Sequence, residues 1–506
     1  MSEFLLAGFC LFLQVSLIYT GYSSAVDLNN GPNTCTNRKF IQGHPRIKGP
    51  RSLDDRIAIV GAGPSGLHMA YELKKRGYSN IVVFEKRGEV GGKTYSRFYR
   101  NVWENFGAAV IGETYDRTVK LMETFNVGFE VLPQGESSTW LNNNNFVPTI
   151  QASPVPLPRL REALERYIAL HRCFFDEYEG ELMPRPSKDV LYKIRGTVDD
   201  FLERFNLTDA RPIFYNALSF NAYGLLNETS AIYGLLFLTP ATVLSLFKPE
   251  KGLFRLEGGW QNLCREMARR INVDIRLNVD ILRIVRRKNV RIDYKNRISN
   301  ELLTDNFDFL ILSPSMNSLF DVVDFNVHEL RIFTQLRHSF YVKSLINSMA
   351  PGKRSLAPID LFPYKLEQAE YTVFRSYNSH QVENNVTGID YQQGRRENTD
   401  PDGWMYESVL YSHTGKANPW DKQVDEYIQN QIFQHLRDFN KVNPRIVEQV
   451  KWNFYFPNYP PGVATALWDI IDMQGRYNTW YIGASVSFDY IEGVIEYNHL
   501  LLRLFQ

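Results

Sequence analysis

The sequence predicts an α/β fold built around a parallel sheet, and three observations between Arg56 and Glu85 predict it. A short apolar run, Ile57 to Val60, is typical of a strand buried on both faces. A glycine-rich turn and a helical pattern of apolar residues follow it. A second apolar run, Ile81 to Phe84, then ends at Glu85. This order of strand, turn, helix and strand is typical of a dinucleotide-binding unit.

The glycine-rich turn predicts where a pyrophosphate binds. Gly61 permits the tight turn, Gly63 lets the backbone approach the ligand, and Gly66 lets the helix pack closely on the strand. The pyrophosphate would lie at the positive N-terminus of the helix. Glu85 lies 19 residues after Gly66, where a carboxylate can accept hydrogen bonds from ribose hydroxyls. The alternative is a glycine-rich turn without a ligand. The predicted contacts are Gly61, Ala62, Gly63, Pro64, Ser65, Gly66, Glu85 and the adjoining Lys86.

A second glycine motif favours FAD over NAD. Gly91 and Gly92 precede a cation, Lys93. Backbone amides and one positive charge could therefore meet the same pyrophosphate, which a nicotinamide enzyme does not need. A surface turn is the alternative. The small residues from Gly107 to Gly112 suit the approach of the backbone to a flat ring, although they could equally begin a helix.

The remaining patterns predict a cofactor domain interleaved with a substrate domain. Helical spacing in Leu160 to Phe175 and Ser230 to Phe247 indicates a largely helical cap. Strand-like segments at Ser339 to Leu345, Tyr371 to Tyr377 and Trp404 to Tyr411, with a helix at Lys422 to Asn440, indicate a sheet that roofs the ligand. The predicted divisions are a signal peptide (1–25), an irregular arm (26–54), the cofactor domain in three parts (55–120, 251–315 and 451–506), the helical cap or substrate domain (121–250) and the substrate sheet (316–450).

Composition and the N-terminus predict a secreted protein. The chain has 506 residues, 44% of them hydrophobic, and 57 basic against 56 acidic residues, which gives no sign of nucleic-acid binding. The apolar run from Phe4 to Ile18, followed by small residues at 23 and 25, predicts a signal peptide cleaved after Ala25, with an uncleaved anchor as the alternative. No transmembrane span is expected in the mature chain. Glycosylation sequons occur at Asn206, Asn227 and Asn385.

The leader and the sequons together favour a secretory address, extracellular or lumenal. The cysteines do not predict a disulfide scaffold. After cleavage the chain would keep Cys35, Cys173 and Cys264, which allow at most one internal disulfide. The nine histidines show no metal-ligand spacing, so no metal site is predicted. A homodimer is an arrangement that the sequence leaves open.

Taken together, the motifs resemble the flavin amine oxidase superfamily and, within it, FAD-dependent polyenoic fatty acid isomerases of bacterial and algal type. About a third of the chain carries the resemblance. The specific pieces are Val90-Gly91-Gly92-Lys93 with Ser96, Gly107 to Gly112 with Tyr115-Asp116, Asn278 to Ile281, Tyr455-Phe456-Pro457, Met473-Gln474-Gly475-Arg476 and Ser487-Phe488.

The resemblance implies further cofactor contacts. Gly92 and Lys93 would form the second phosphate loop, and the backbone of Ile281 would contact adenine. Gly107, Ala108 and Ala109 would lie at the isoalloxazine, and the start of the last helix would lie under the pyrimidine edge of the flavin, where backbone amides stabilise negative charge. The implied residues at this end are Gly483, Ile491, Glu492, Gly493 and Val494.

The chain departs from the family pattern at three places. Ala484 replaces the glutamate that often follows the glycine of the C-terminal strand, and Ser485 is the alternative partner for that contact. Asn105 stands where an acid is usual. The arginine that the bacterial isomerase uses for the substrate carboxylate has no counterpart near Ser138.

The resemblance implies an isomerase that turns methylene-interrupted polyunsaturated fatty acids of the arachidonate or eicosapentaenoate type into conjugated trienes. FAD would accept a hydride from a doubly allylic carbon and return it to another carbon, so no catalytic side chain is predicted. The alternatives are a secreted amine or amino-acid oxidase that produces hydrogen peroxide and a lipid-binding flavoprotein without turnover. Such oxidases often place a lysine near the reactive ring nitrogen, and the sequence does not locate one.

Overall fold

The computed structural model describes most of the chain between residues 46 and 505. The described residues are 46–99, 102–108, 111–112, 114–131, 138–141, 145–148, 155–175, 178, 183–218, 221, 223–247, 254–349, 359–361, 372–378, 404–413, 422, 425–426, 429–430, 433 and 442–505. The predicted signal peptide, Cys35, Ala109 and Asn385 lie outside them, as does most of the helix predicted at Lys422 to Asn440.

The strands, in chain order, are β1 (Ile57–Val60), β2 (Ile81–Phe84), β3 (Ser96–Tyr99), β4 (Val102–Asn105), β5 (Phe129–Val131), β6 (Ser138–Leu141), β7 (Asn145–Pro148), β8 (Phe254–Leu256), β9 (Asp274–Arg276), β10 (Val279–Arg286), β11 (Val290–Asn296), β12 (Leu302–Phe307), β13 (Phe309–Leu312), β14 (Arg337–Met349), β15 (Ile359–Leu361), β16 (Thr372–Asn378), β17 (Trp404–His413), β18 (Val442–Asn458) and β19 (Thr479–Tyr481).

The helices are α1 (Pro64–Lys75), α2 (Asp116–Phe125), α3 (Leu157–Phe175), α4 (Lys188–Lys193), α5 (Val198–Arg204), α6 (Arg211–Leu218), α7 (Ala231–Phe237), α8 (Pro240–Phe247), α9 (Gln261–Arg270), α10 (Val327–Phe333), α11 (Ala466–Ile471) and α12 (Ile491–Leu504). Among the described residues, no helix combines the length and the apolar character that a membrane span requires.

The predicted α/β fold is confirmed by a five-stranded parallel sheet in the order β19-β13-β1-β2-β9. Strands β1, β2 and β13 are buried along their whole length, because helices cover both faces of a parallel sheet. The carboxyl ends of neighbouring strands meet at one edge. In folds of this kind that edge is where ligands bind.

A seven-stranded sheet, in the order β18-β14-β17-β16-β15-β6-β7, forms the substrate-domain layer. Two of its features differ from the sequence prediction. Strand β18 extends to Asn458, past the predicted boundary at residue 450. Strands β6 and β7 lie in the stretch that was predicted as mostly helical. The sequence did not reveal them because strands of four residues are too short to show a clear alternating pattern.

The helical cap has a division within one of its predicted helical stretches. The helical spacing predicted over Ser230 to Phe247 corresponds to two helices, α7 and α8, divided before Pro240. Proline has no amide hydrogen to donate and its ring clashes with the preceding turn, so it begins a helix more readily than it continues one. A three-stranded antiparallel sheet (β10-β11-β12) and two antiparallel strand pairs, β3-β4 and β5-β8, complete the described architecture.

Candidate active site

The two predicted phosphate loops meet at the carboxyl edge of the parallel sheet. Gly91 donates its amide to the carbonyl of Ala62 at 2.8 Å. A methyl group added at Gly92 would lie 3.4 Å from the Cα of Gly63, so the two backbones run past each other without side chains between them. Helix α1 begins here with no side-chain cap and no acid in its first turn. Its free amides and positive dipole end therefore suit an anion.

Glu85 lies at the end of β2 and is held by the backbone. Its two carboxylate oxygens accept from the amides of Ala62 at 2.9 Å and Arg87 at 2.8 Å. Each oxygen keeps a further lone pair. Glu85 thus lines the cavity in a fixed orientation from which it can accept hydroxyl groups of a ribose.

These loops form one wall of a cavity of about 1130 Å³. That volume exceeds the roughly 300–1,000 Å³ of ordinary ligand pockets, so it can hold a dinucleotide and a second molecule. The predicted cofactor residues that line it are Gly61, Gly63, Pro64, Ser65, Glu85, Lys86, Gly92, Lys93, Gly107, Ala108, Ile281, Gly483, Ile491 and Val494. Their role as cofactor contacts remains a prediction.

Four of the predicted cofactor residues do not line this cavity. Ala62 is fully buried and holds Glu85, and Gly66 packs α1 on the first turn. An added methyl group at Gly66 would lie 2.0 Å from the carbonyl oxygen of Gly61. Gly493 packs on the ring of Tyr490, where an added methyl group would lie at 2.3 Å.

The fourth residue, Glu492, caps helix α2. Its carboxylate accepts from the amides of Arg117 and Thr118, both at 2.8 Å, and from the Thr118 hydroxyl at 2.6 Å. Burial raises the pKa of this carboxyl, whereas the three donors lower it. Sequence reasoning missed this contact because it joins residues 374 positions apart.

Residues at two of the departures from the family pattern form hydrogen bonds within the protein. Asn105 accepts from the Ser96 hydroxyl at 2.7 Å and from the amide of Trp260 at 2.9 Å. Ser485, the alternative partner for the cofactor, is buried and accepts instead from the amide of Met316 at 3.3 Å. Ser313, Pro314 and Ala484 line the cavity near this point.

One part of the cavity wall is aromatic. Tyr455 of β18 stacks on Tyr341 of β14 with 4.5 Å between ring centroids, and on the cap residue Tyr223 at 6.0 Å. Phe237 stacks on Phe488 at 4.9 Å, with Tyr490 at the edge of both rings. Burial raises the pKa of Tyr223, Tyr455 and Tyr490, so these phenols stay neutral near pH 7. Of these aromatic residues, Tyr455 and Phe488 belong to motifs that the sequence had marked, Tyr455-Phe456-Pro457 and Ser487-Phe488.

A buried lysine also lines the cavity. Lys343 lies on β14, two residues from Tyr341, and is 2% exposed. The sequence did not single it out because an isolated lysine in a strand carries no local signal. Lys451 of the neighbouring strand β18 lines the cavity as well, but its ammonium pairs with Asp425 at 2.6 Å.

His68, Glu72 and His499 converge between α1 and α12, with potential ligand atoms within 4.8 Å of one another. The sequence showed no such spacing because the set joins two distant helices. Asn498 donates to Nδ1 of His68 at 3.2 Å, which leaves the hydrogen of the neutral ring on Nε2. The positive charges of Lys75 and Arg117 act on both rings and lower their pKa, as burial does. Both features disfavour a bound cation.

The described cysteines have different states. Cys264 is free and buried, and burial raises the pKa of its thiol to about 12, so it is unreactive. Cys173, near the end of α3, is disulfide-bonded to a partner outside the described residues. One disulfide agrees with the limit that the cysteine count sets.

A parallel sheet with two glycine loops at its carboxyl edge and a large aromatic chamber beside them defines a flavoprotein of the dinucleotide-binding type. The family model for flavin containing amine oxidoreductases matches residues 64–497. The chain therefore belongs to that family, and a flavin is its cofactor class.

Individual relatives include both isomerases and oxidases. The chain is 28% identical over 207 residues to a polyenoic fatty acid isomerase of Ptilota filicina. The matched region covers 37% of this chain and 41% of that protein. It is 25% identical over 259 residues to an L-amino acid oxidase of Cerastes cerastes, 48% of each chain. The matched regions thus span less than half the length of these relatives.

The solved structures give the same fold over nearly the whole chain. A CLA-producing fatty acid isomerase from P. acnes superposes with a TM-score of 0.72 at 21% identity, over 90% of this chain and 100% of that one. A putrescine oxidase superposes with a TM-score of 0.61 at 14% identity, over 89% and 99% of the two chains. At these identities the likeness concerns the fold alone.

Proposed function

We propose that the protein is an FAD-dependent isomerase that converts methylene-interrupted polyunsaturated fatty acids into conjugated trienes. The observation that carries the proposal is a group of stacked aromatic residues, Tyr223, Tyr341 and Tyr455, that lines the same large cavity as the two glycine loops. Stacked rings offer apolar surface to an acyl chain, and their neutral phenols add no charge. The sequence likeness to the polyenoic fatty acid isomerase of Ptilota filicina supports the same substrate class.

The residues at the cofactor wall fit FAD. Gly63 and Gly92 leave a cradle without side chains, the uncapped start of α1 offers amides to a pyrophosphate, and Glu85 offers oxygens to a ribose. When bound, the flavin supplies a two-electron acceptor for a hydride and a donor for its return. The protein then has three tasks, which are to bind the acyl chain, to orient its doubly allylic carbon and to exclude water.

The test is incubation of the purified protein with arachidonate or eicosapentaenoate. The expected result is the ultraviolet absorption of a conjugated triene, without an external electron acceptor and with peroxide at background. Deuterium at the doubly allylic carbon should slow the reaction if hydride loss limits the rate, and label should reappear at the new position. Unchanged fatty acid with peroxide formed from an amine or amino acid would overturn the reaction class.

Lys343 favours a second candidate, an amine or amino-acid oxidase. The lysine expected in such oxidases was not located in the sequence, and Lys343 is a buried cation that lines the cavity. Lys343→Met should abolish peroxide formation in an oxidase. In an isomerase it should change the rate of triene formation by no more than about threefold relative to the parent, which corresponds to about 0.7 kcal/mol in the activation barrier. Lys451→Met is the matched control, because Lys451 lies on the neighbouring strand and lines the same cavity. A protein that binds fatty acid but yields neither product would be a lipid carrier.

We propose further that the protein follows the secretory route to an extracellular or lumenal location. Support comes from the leader sequence, from the disulfide of Cys173 and from Asn206 and Asn227, which are both exposed. Disulfides persist in oxidising compartments. N-terminal sequencing should find Val26 first, and glycosidase treatment should lower the apparent mass. An intact Met1 on the mature protein would contradict the proposal.

A further inference from the structure

Asp489 joins three parts of the molecule at the cavity wall. One oxygen of its carboxylate accepts from the Lys93 ammonium of the second phosphate loop at 2.5 Å and from the amide of Phe456 in β18 at 2.7 Å. Its backbone carbonyl accepts from the hydroxyl of the cap residue Tyr223 at 3.1 Å. Asp489 therefore connects the cofactor loops, the substrate sheet and the helical cap, two residues before α12 begins.

The Lys93–Asp489 pair is partly shielded from water. The side chain of Lys93 is 33% exposed and that of Asp489 is 10% exposed, and both residues line the cavity. The Lys93 ammonium also lies 5.3 Å from the centre of the Tyr455 ring. The sequence predicted this ammonium as a partner of the pyrophosphate. In the structure it points to Asp489, so the phosphates would depend on the backbone amides and on α1.

The pairing of the Lys93 ammonium with Asp489 cancels a positive charge, and this matters for a reaction in which the flavin must return its hydride. A fixed cation beside a bound flavin favours the reduced, anionic form of the ring, because it stabilises negative charge where water is excluded. An enzyme that passes electrons on to oxygen tolerates a stable reduced flavin. An isomerase needs the hydride to leave again, so an uncompensated lysine would slow the second half of its reaction.

We propose that Asp489 is a positioning residue that fixes the Lys93 ammonium and cancels its charge, so that the bound flavin is reduced only transiently. This inference rests on the proposed function, because it assumes FAD in this cavity and a returned hydride. Burial raises the pKa of Tyr223 and Tyr455, and the negative charge of Asp489 adds a smaller contribution in the same direction.

Three variants separate the charge from the hydrogen bond. Asp489→Asn keeps an oxygen for the Phe456 amide but removes the charge. Lys93→Met leaves the carboxylate uncompensated, and the double variant removes both charges. Asp209→Asn is the control, because it breaks an ion pair of Arg159 at 2.9 Å on the exposed side of the cap, away from the cavity.

The readouts are the flavin midpoint potential, measured against a reference dye, and the dissociation constant of FAD. Asp489→Asn should raise the midpoint potential and lower the dissociation constant of FAD by about threefold to tenfold. A tenfold change corresponds to about 1.4 kcal/mol of binding free energy. Lys93→Met should lower the potential and weaken FAD. The double variant should bring the potential back close to that of the parent and the FAD dissociation constant to within about twofold of it, because it removes one positive and one negative charge whose effects on a bound flavin have opposite signs. The control should change neither quantity.

The outcomes distinguish the inference from the proposed function. If the parent protein binds no flavin, both are overturned. If it binds FAD and the two single variants leave the potential unchanged or shift it in the same direction, only the inference is overturned. A melting temperature for each protein without flavin identifies a folding defect, and Lys93→Met alone keeps the test decisive if Asp489→Asn does not fold.

Discussion

Gly63 offers a test of whether the glycine loops bind a ligand or only permit a turn. Its φ is −80°, which any residue adopts, so alanine causes no backbone strain. In the protein alone, an added methyl group would have its nearest neighbours at 3.9 Å (Gly92 Cα) and 4.0 Å (Gly91 carbonyl oxygen), which are ordinary contacts. Gly63→Ala should therefore leave the free energy of unfolding unchanged or raise it by about 0.4–1 kcal/mol, through the smaller entropy of the unfolded chain.

With FAD bound, the same methyl group would occupy the space through which the pyrophosphate passes between the two loops. Crowding of a filled site costs about 1–3 kcal/mol. FAD affinity should then fall by about fivefold to 150-fold, at about 1.4 kcal/mol for each factor of ten. A bulkier residue at this position should abolish flavin retention.

Gly66→Ala is the matched comparison, three residues along the same turn. Its methyl group would lie 2.0 Å from the backbone oxygen of Gly61, which cannot move aside without shifting β1 or α1. It should lower the melting temperature of the flavin-free protein, whereas Gly63→Ala should not. The assays are thermal unfolding of the flavin-free proteins and titration with FAD followed by flavin fluorescence. A Gly63→Ala protein that binds FAD as tightly as the parent would refute the placement of the pyrophosphate.

Three further predictions concern groups around the cavity. Trp260 lines the cavity and its buried indole nitrogen has no hydrogen-bond partner among the described residues, so Trp260→Phe should weaken ligand binding by about 0.5–1.5 kcal/mol; equal titration curves would mean that no ligand accepts from it. Burial lowers the pKa of His171 to about 4. Because the unfolded chain then binds the proton more tightly, the free energy of unfolding should fall by about 3 kcal/mol between pH 6.5 and pH 4, and denaturant titrations of His171→Gln should lose that slope. Glu492→Gln should lower the free energy of unfolding by about 1–3 kcal/mol, because the amino group of glutamine would face an amide donor at the start of α2 that then has no acceptor, while FAD titrations should stay within about twofold; a large loss of FAD affinity instead would return Glu492 to the cofactor site.

The short-range motifs were predictable because each depends on residues close together in sequence. The turn from Gly61 to Gly66, the apolar strand before it and the acid at Glu85 act within one βαβ unit, whose connections are constrained by chain geometry. The same holds for Gly91 and Gly92, which need φ values of +125° and +53° that only glycine adopts readily. Each of these local requirements selects particular residue types, which can be recognised in the sequence, so the fold class could be predicted from them.

The sequence by itself thus determined the parallel sheet, the two phosphate loops and the flavin class of the cofactor. Only the tertiary structure decided which side chains face the cavity. Lys93 turns to Asp489, Glu492 caps α2, and Tyr223 meets Tyr455 across 232 positions of the chain. The physical reason is that a side chain's partner is set by packing between distant segments, and periodicity reports only which face of its own strand or helix a residue occupies.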